Sequence, residues 1–212
     1  MRRWPAVAYD RRMRSRLRVS FVPVLVLVAA CVACGDNGPS MKERAAAAKA
    51  EKEAADAAAR AEIRAKLEQQ RIAALWRYQH DTVGGGEQDT AAIFASERVD
   101  VDGSGAKPVQ LIFRDHQKWK RHAYLVLEAG DFNCRPRCTV DVTVDDQPPV
   151  KMDAWRPNTD EAIAMFIRDH AKLWRLTGDA ANLTIAFPVK AGGTRSASFE
   201  VVGLDESKMP GW

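Results

Sequence analysis

The chain has 212 residues and a formal net charge of +4, but the charge is unevenly placed. Residues 1–34 hold seven arginines and one aspartate, so the remainder carries −2. A basic excess confined to a segment expected to be removed gives no footing for nucleic-acid binding, and no nucleic-acid partner is expected.

Arg11, Arg12, Arg14, Arg16 and Arg18 precede an apolar run at residues 19–34 that only Ser20 and Pro23 interrupt. A basic stretch, a short apolar stretch and then small residues make a secretory signal; a spanning helix needs about 18 or more apolar residues. Met13 opens a complete signal of ordinary length, and translation is expected to begin there. The end of the signal resembles that of a bacterial lipoprotein, in which a small residue precedes a cysteine that is cut and acylated. Two cysteines compete for that role. Val28-Ala29-Ala30-Cys31 has the better upstream match, while Cys34 sits between Ala33 and Gly35. Acylating Cys34 discards Cys31 and leaves Cys134 and Cys138 as a pair. Acylating Cys31 leaves Cys34 as a lone thiol in an oxidising compartment. Cys34 is therefore favoured as the lipid anchor, with Cys31 as the alternative. Neither is followed by Asp, so by resemblance the anchor sorts to the outer membrane, and the expected location is the periplasmic side of the bacterial cell envelope.

Residues 35–40 form a Gly/Asn/Pro linker. Residues 41–75 contain no Gly and no Pro and are dominated by alanine with Lys, Glu, Arg and Gln, the composition of a helix about 50 Å long. Ser40 and Glu43 have capping-box spacing, and Asp56–Arg60 and Glu62–Lys66 are i,i+4 pairs in the favourable order. The apolar residues Ile63, Leu67, Ile72 and Leu75 all lie in the second half, which is expected to dock lightly on the following domain, with the first half a solvated stalk. A coiled coil between two such stalks is the competing expectation, although no sustained heptad supports it.

From residue 76 the pattern becomes one of short alternating strands. Trp76, Tyr78 and His80 lie two apart, and Gly84-Gly85-Gly86 ends the first strand. Residues 91–101 form a second, and Val109, Leu111 and Phe113 alternate in a third. Residues 124–146 read as two strands joined by a short loop, an antiparallel hairpin whose register a Cys134–Cys138 disulfide would fix. Val140, Val142 and Val144 face one way there and Asp141, Thr143 and Asp145 the other. A sixth strand follows Pro148-Pro149. Asn158 or Thr159 then caps an amphipathic helix, with Asp160 and Glu161 in its first turn and Ile163, Phe166, Ile167, His170, Leu173 and Trp174 at helical spacing up to Gly178. Two alternating strands complete the chain. The expected fold is mainly β: residues 76–212 form an antiparallel β-sandwich of about eight strands with one inserted helix, preceded by the long Ala-rich helix.

Residues able to carry chemistry are few. In an exported chain the default for Cys134 and Cys138 is a structural disulfide, since no CxxC or HxxxH supplies further soft ligands. His80, His116, His122 and His170 have no catalytic or metal spacing; His116 and His122 could face each other across a hairpin. No GxSxG, SxxK or HExxH occurs. Residues 100–105 faintly resemble a calcium loop but lack its third acidic position and distal glutamate. Asp141, Asp145, Asp146 and Asp153 could form an acidic strip, or simply the solvated face opposite the valines. Trp155, Trp174 and Trp212 are expected at core or edge positions. No catalytic, cofactor-binding or metal residue is assigned.

The order of Trp76, Leu111-Ile112-Phe113-Arg114, Gly130-Asp131-Phe132-Asn133-Cys134, Cys138, Asp145-Asp146, Phe166 and Val202-Gly203-Leu204 resembles that of small exported proteins. These include the invasion-associated locus B proteins and an accessory lipoprotein family of type VI secretion. The resemblance implies a β-sandwich in the cell envelope and supplies no catalytic residue. The expected function is non-enzymatic: a lipid-anchored envelope protein whose sandwich binds a protein or cell-wall partner. The alternatives are an envelope hydrolase with a site built from scattered residues and a purely structural stalked spacer. A deep pocket with convergent His, Asp or Ser would favour the hydrolase, and an exposed apolar patch the binding protein.

Overall fold

The structure, a computed structural model, describes residues 40–158 and 163–212. The expected signal, the anchor candidates Cys31 and Cys34, and the helix cap at Thr159 with Asp160 and Glu161 lie outside the described residues. By contacts the chain divides into residues 1–50 and 51–212.

Helix α1 runs Met41–Ala73, two residues short of expectation. Its capping box is formed: the Ser40 N–H donates to Glu43 Oε2 at 2.7 Å and the Glu43 N–H to Ser40 Oγ at 3.3 Å. No residue of α1 is buried, and Ile63 and Leu67 are each 60% exposed. The expected docking of its second half therefore shrinks to the last turn. There Arg71 donates to both carboxylate oxygens of Glu200, at 2.7 and 2.5 Å, and Ile72 packs on Gly203. A Cβ on Gly203 would lie 2.5 Å from Ile72 Cγ2, and the residue has φ +77°, so only glycine fits. Within the helix Arg71 also pairs with Glu68 at 2.7 Å; neither Asp56–Arg60 nor Glu62–Lys66 closes among the described residues.

Nine antiparallel strands follow: β1 Arg77–Val83, β2 Gly86–Phe94, β3 Val109–His116, β4 His122–Leu127, β5 Cys138–Val144, β6 Val150–Trp155, β7 Ile163–Ile167, β8 Asn182–Pro188 and β9 Thr194–Glu200. Helix α2, His170–Gly178, lies between β7 and β8. The mainly β fold with a preceding long helix is as expected. Among the described residues the strands number nine, and all nine join one continuous sheet in the order β1-β2-β3-β4-β7-β6-β5-β8-β9. The sheet curls until its ends meet: the Ser96 N–H donates to Ser198 O at 2.7 Å and Trp76 Nε1 to Val201 O at 3.1 Å.

The curl encloses one core. Alternation turns Val109, Leu111 and Phe113 inward from β3, Ala123, Leu125 and Leu127 from β4, and Leu183, Ile185 and Phe187 from β8. At one end Phe113 meets Trp174 of α2 edge-on at 5.0 Å and Trp212 at 5.3 Å, with Trp76 beyond. Trp174 and Trp212 are thus core and edge residues, as expected.

Three expectations need correction. Residues 163–167 are a strand, and α2 starts only at His170, where the Asp169 carboxylate accepts from the Lys172 N–H at 3.1 Å. Ile163, Met165 and Ile167 fit a strand as well as a helix over so short a run, and pairing on both sides decides for the strand. The second strand begins at Gly86 and ends at Phe94, well before Val101. Finally, β4 and β5 do not pair. Hairpin β6–β7 lies between them, because the connection crosses to the far end of β8, where Phe132 bridges Val189 and fills the core. The Cys134–Cys138 disulfide is present, with Cα atoms 4.7 Å apart. It pins the entry to β5, where Cys134 O accepts from the Arg156 N–H at 3.1 Å, and sets no β4–β5 register.

Candidate binding face

The register of the four middle strands lines up one outward row. Ile112 on β3 opposes Tyr124 on β4, Tyr124 opposes Phe166 on β7, and Phe166 opposes Trp155 on β6. All four are half-buried on the side away from the core, while their strand neighbours point inward. The ring centroids of Tyr124 and Phe166 are 4.9 Å apart at 31°, and those of Trp155 and Phe166 5.2 Å at 25°. Near-parallel rings at this spacing cover each other's faces and present their edges outward. Beside Trp155, a slot of about 300 Å³ is lined by Pro136, Arg137 and Arg168.

One register step along, Arg114 opposes His122. Its Cζ lies 5.4 Å from the Trp119 ring centroid, 5.5 Å from Tyr124 and 5.9 Å from Phe166. Nη2 is 3.3 Å from His122 Nδ1, and the buried Nε has no hydrogen-bond partner. Among the described residues no carboxylate pairs with Arg114, Arg137 or Arg168. His122 stands edge-on to Phe166 at 5.3 Å and 6.3 Å from His170, whose ring in turn meets Trp212 at 5.6 Å. Burial, with Arg114 and His170 adding to it against a bond to Lys120 O, holds His122 below the usual histidine range. Burial likewise raises the Tyr124 hydroxyl. The result is an aromatic row edged by cations.

The other sequence candidates are structural. His116 does not face His122. It is fully buried, donates from Nε2 to Val83 O at 2.8 Å, accepts at Nδ1 from the Lys118 and Trp119 N–H groups, and stacks on Trp119 at 3.9 Å. It builds the turn between β3 and β4. His80 pairs with Asp89 at 2.7 Å on the surface, and that carboxylate raises its pKa. Asp100 and Asp102 spend their carboxylates on the N–H groups of Gly103 and Ser104. The acidic strip is divided: Asp141 pairs with Lys151, while Asp145 accepts from the Ala181 and Asn182 N–H groups at 3.2 and 2.7 Å. Among the described residues no three His, Cys, Asp or Glu side chains gather as a metal site. A groove of about 640 Å³ between residues 96–100 and β9 carries hydroxyls, Asp100 and Arg195 but no histidine.

Sequence reasoning assigned no binding role to Arg114, His122, Tyr124 or Phe166. Reading Phe166 as helical removed it from the row, and the register that aligns it with Tyr124 exists only once β7 lies beside β4. Comparison with known proteins returns no matching family model, no matching curated protein and no matching solved structure.

Proposed function

We propose that this chain is a lipid-anchored protein of the bacterial cell envelope, tethered through Cys34 or Cys31, whose β domain binds another envelope protein without catalysing a reaction. The observation that supports it is the Ile112–Tyr124–Phe166–Trp155 row, edged by three arginines that have no carboxylate partner among the described residues. Outward-facing, half-buried aromatic and arginine side chains are of the residue types that anchor protein interfaces. Uncompensated positive charge selects an acidic partner surface. A cell-wall glycan is the weaker candidate, since a sugar stacks on a ring face and Phe166 has a neighbouring ring on each side. The envelope location rests on the signal sequence and on the family resemblance.

Two experiments test the reading. Changing Cys31 and Cys34 together to Ala should abolish acyl labelling of the full chain; persistent acylation would end the anchor proposal. For the face, a photocrosslinker at Val126, outward and beside the row, should form adducts with an acidic envelope protein. Phe166→Ala should remove those adducts, and a crosslinker at His80 on β1 should not reproduce them. Adducts indifferent to Phe166, or co-sedimentation with purified cell wall in place of protein adducts, would overturn the protein-binding assignment.

A further inference from the structure

Within that face, and resting on its reading as a binding face, Arg114 differs from an ordinary surface arginine. Three rings surround its guanidinium, Nε is shut away from water with no acceptor, and its one polar contact is a long one to His122. Burying a guanidinium hydrogen without an acceptor is unfavourable, and a cation among rings is stabilised only modestly by their quadrupoles. The planar fork lacks what it is shaped to hold, a carboxylate bound through two parallel hydrogen bonds. Beside it the edges of Tyr124 and Phe166 offer an apolar floor. We infer that Arg114, flanked by His122, is a receptor for a carboxylate joined to an apolar body, such as an acidic side chain or a chain terminus next to a hydrophobic residue. The carboxylate takes the terminal Nη1 and Nη2, because the enclosed Nε lies out of an outside acceptor's reach; His122 supplies a further N–H when the acid approaches, and the apolar portion lies along Tyr124 and Phe166 toward Trp155. A bare inorganic anion fits less well, because it leaves the ring edges wet.

Three acetylated peptides test this on the full chain. Phe-Glu-Phe amide carries only a side-chain carboxylate, Phe-Gln-Phe with a free carboxyl end carries only a terminal one, and Phe-Gln-Phe amide carries neither. Binding is read by titration calorimetry and by the His122 ring-proton resonance. At least one charged peptide should bind about tenfold more tightly than the neutral one, the scale of one charge-assisted hydrogen-bonded pair. Which charged peptide wins identifies the source of the carboxylate. Arg114→Gln should erase the difference while binding of the neutral peptide persists. Because the wild-type comparison needs no variant, misfolding of Arg114→Gln would not rescue a negative result. Equal binding of all three peptides, or displacement of the charged peptides by equimolar inorganic phosphate, overturns the inference. If the peptides bind equally while the Val126 adducts still depend on Phe166, the carboxylate site falls and the protein-binding face stands.

Discussion

Asp131 carries more of the structure than its place in a loop suggests. Its carboxylate accepts from Arg156 Nε, from Lys190 Nζ at 2.6 Å and from the Phe132 N–H at 2.8 Å, and the Arg156 side chain is only 4% exposed. These bonds hold the segment that delivers Phe132 into the core. Burial pushes the carboxyl pKa up, but the bonds from Lys190 and Arg156 outweigh it and leave it below the ordinary value. A depressed carboxylate stabilises the fold above its unfolded pKa of about 3.9, and that contribution is lost as pH falls through the lower folded value. Asp131→Asn is therefore expected to cost about 3 kcal/mol at pH 7 by taking a carboxylate charge away from Arg156 and Lys190. The gap between variant and wild type, measured by denaturant melts, should narrow as pH falls past the unfolded carboxylate value of about 3.9 and close below the depressed folded one. A gap independent of pH would mean that shape, not charge, is what Asp131 supplies.

At the scale of elements, the disulfide and α1 make opposite predictions. Cys134–Cys138 closes a loop of about five residues, for which chain entropy gives about 2 kcal/mol. Replacing both cysteines by Ala should leave a folded domain melting roughly 4–8 °C lower, and in native wild-type protein neither Cys134 nor Cys138 should label as a thiol. Ready labelling without denaturant would remove the staple from the account. Deleting residues 41–60, all exposed, should shift the stability of the remaining chain by less than about 0.5 kcal/mol. A larger loss would show that these residues pack. Local chemistry made α1 and the disulfide readable in advance: alanine content, a capping box and cysteine parity act over a few residues. The β7 segment was not readable, because Ile163, Phe166 and Ile167 satisfy both a short helix and a two-sided strand. The choice between them depends on β4 and β6, which are distant in sequence from it or from each other.

Across the whole molecule the same division holds. Alternation in β3, β4, β5 and β8 names the inward residues, so the core was legible. Strand order was not, since alternation fixes which face a side chain takes and says nothing of which strand lies beside it. The candidate face inherits that blindness. Arg114, His122 and Tyr124 lie on the β1–β4 side of the sheet, Phe166 and Trp155 on the other, and β4 with β7 is the strand pair that joins the halves in the sheet order. Hairpins within each half need only local closure, whereas Ala123 meets Ile167 across more than forty residues of chain. The row therefore comes into existence only when β4 pairs with β7. A half-folded chain can display its arginines and some of its rings but not their alignment. On the proposed reading of this face, a partner that grips both halves would tell finished molecules from unfinished ones and would hold closed the pairing of β4 with β7.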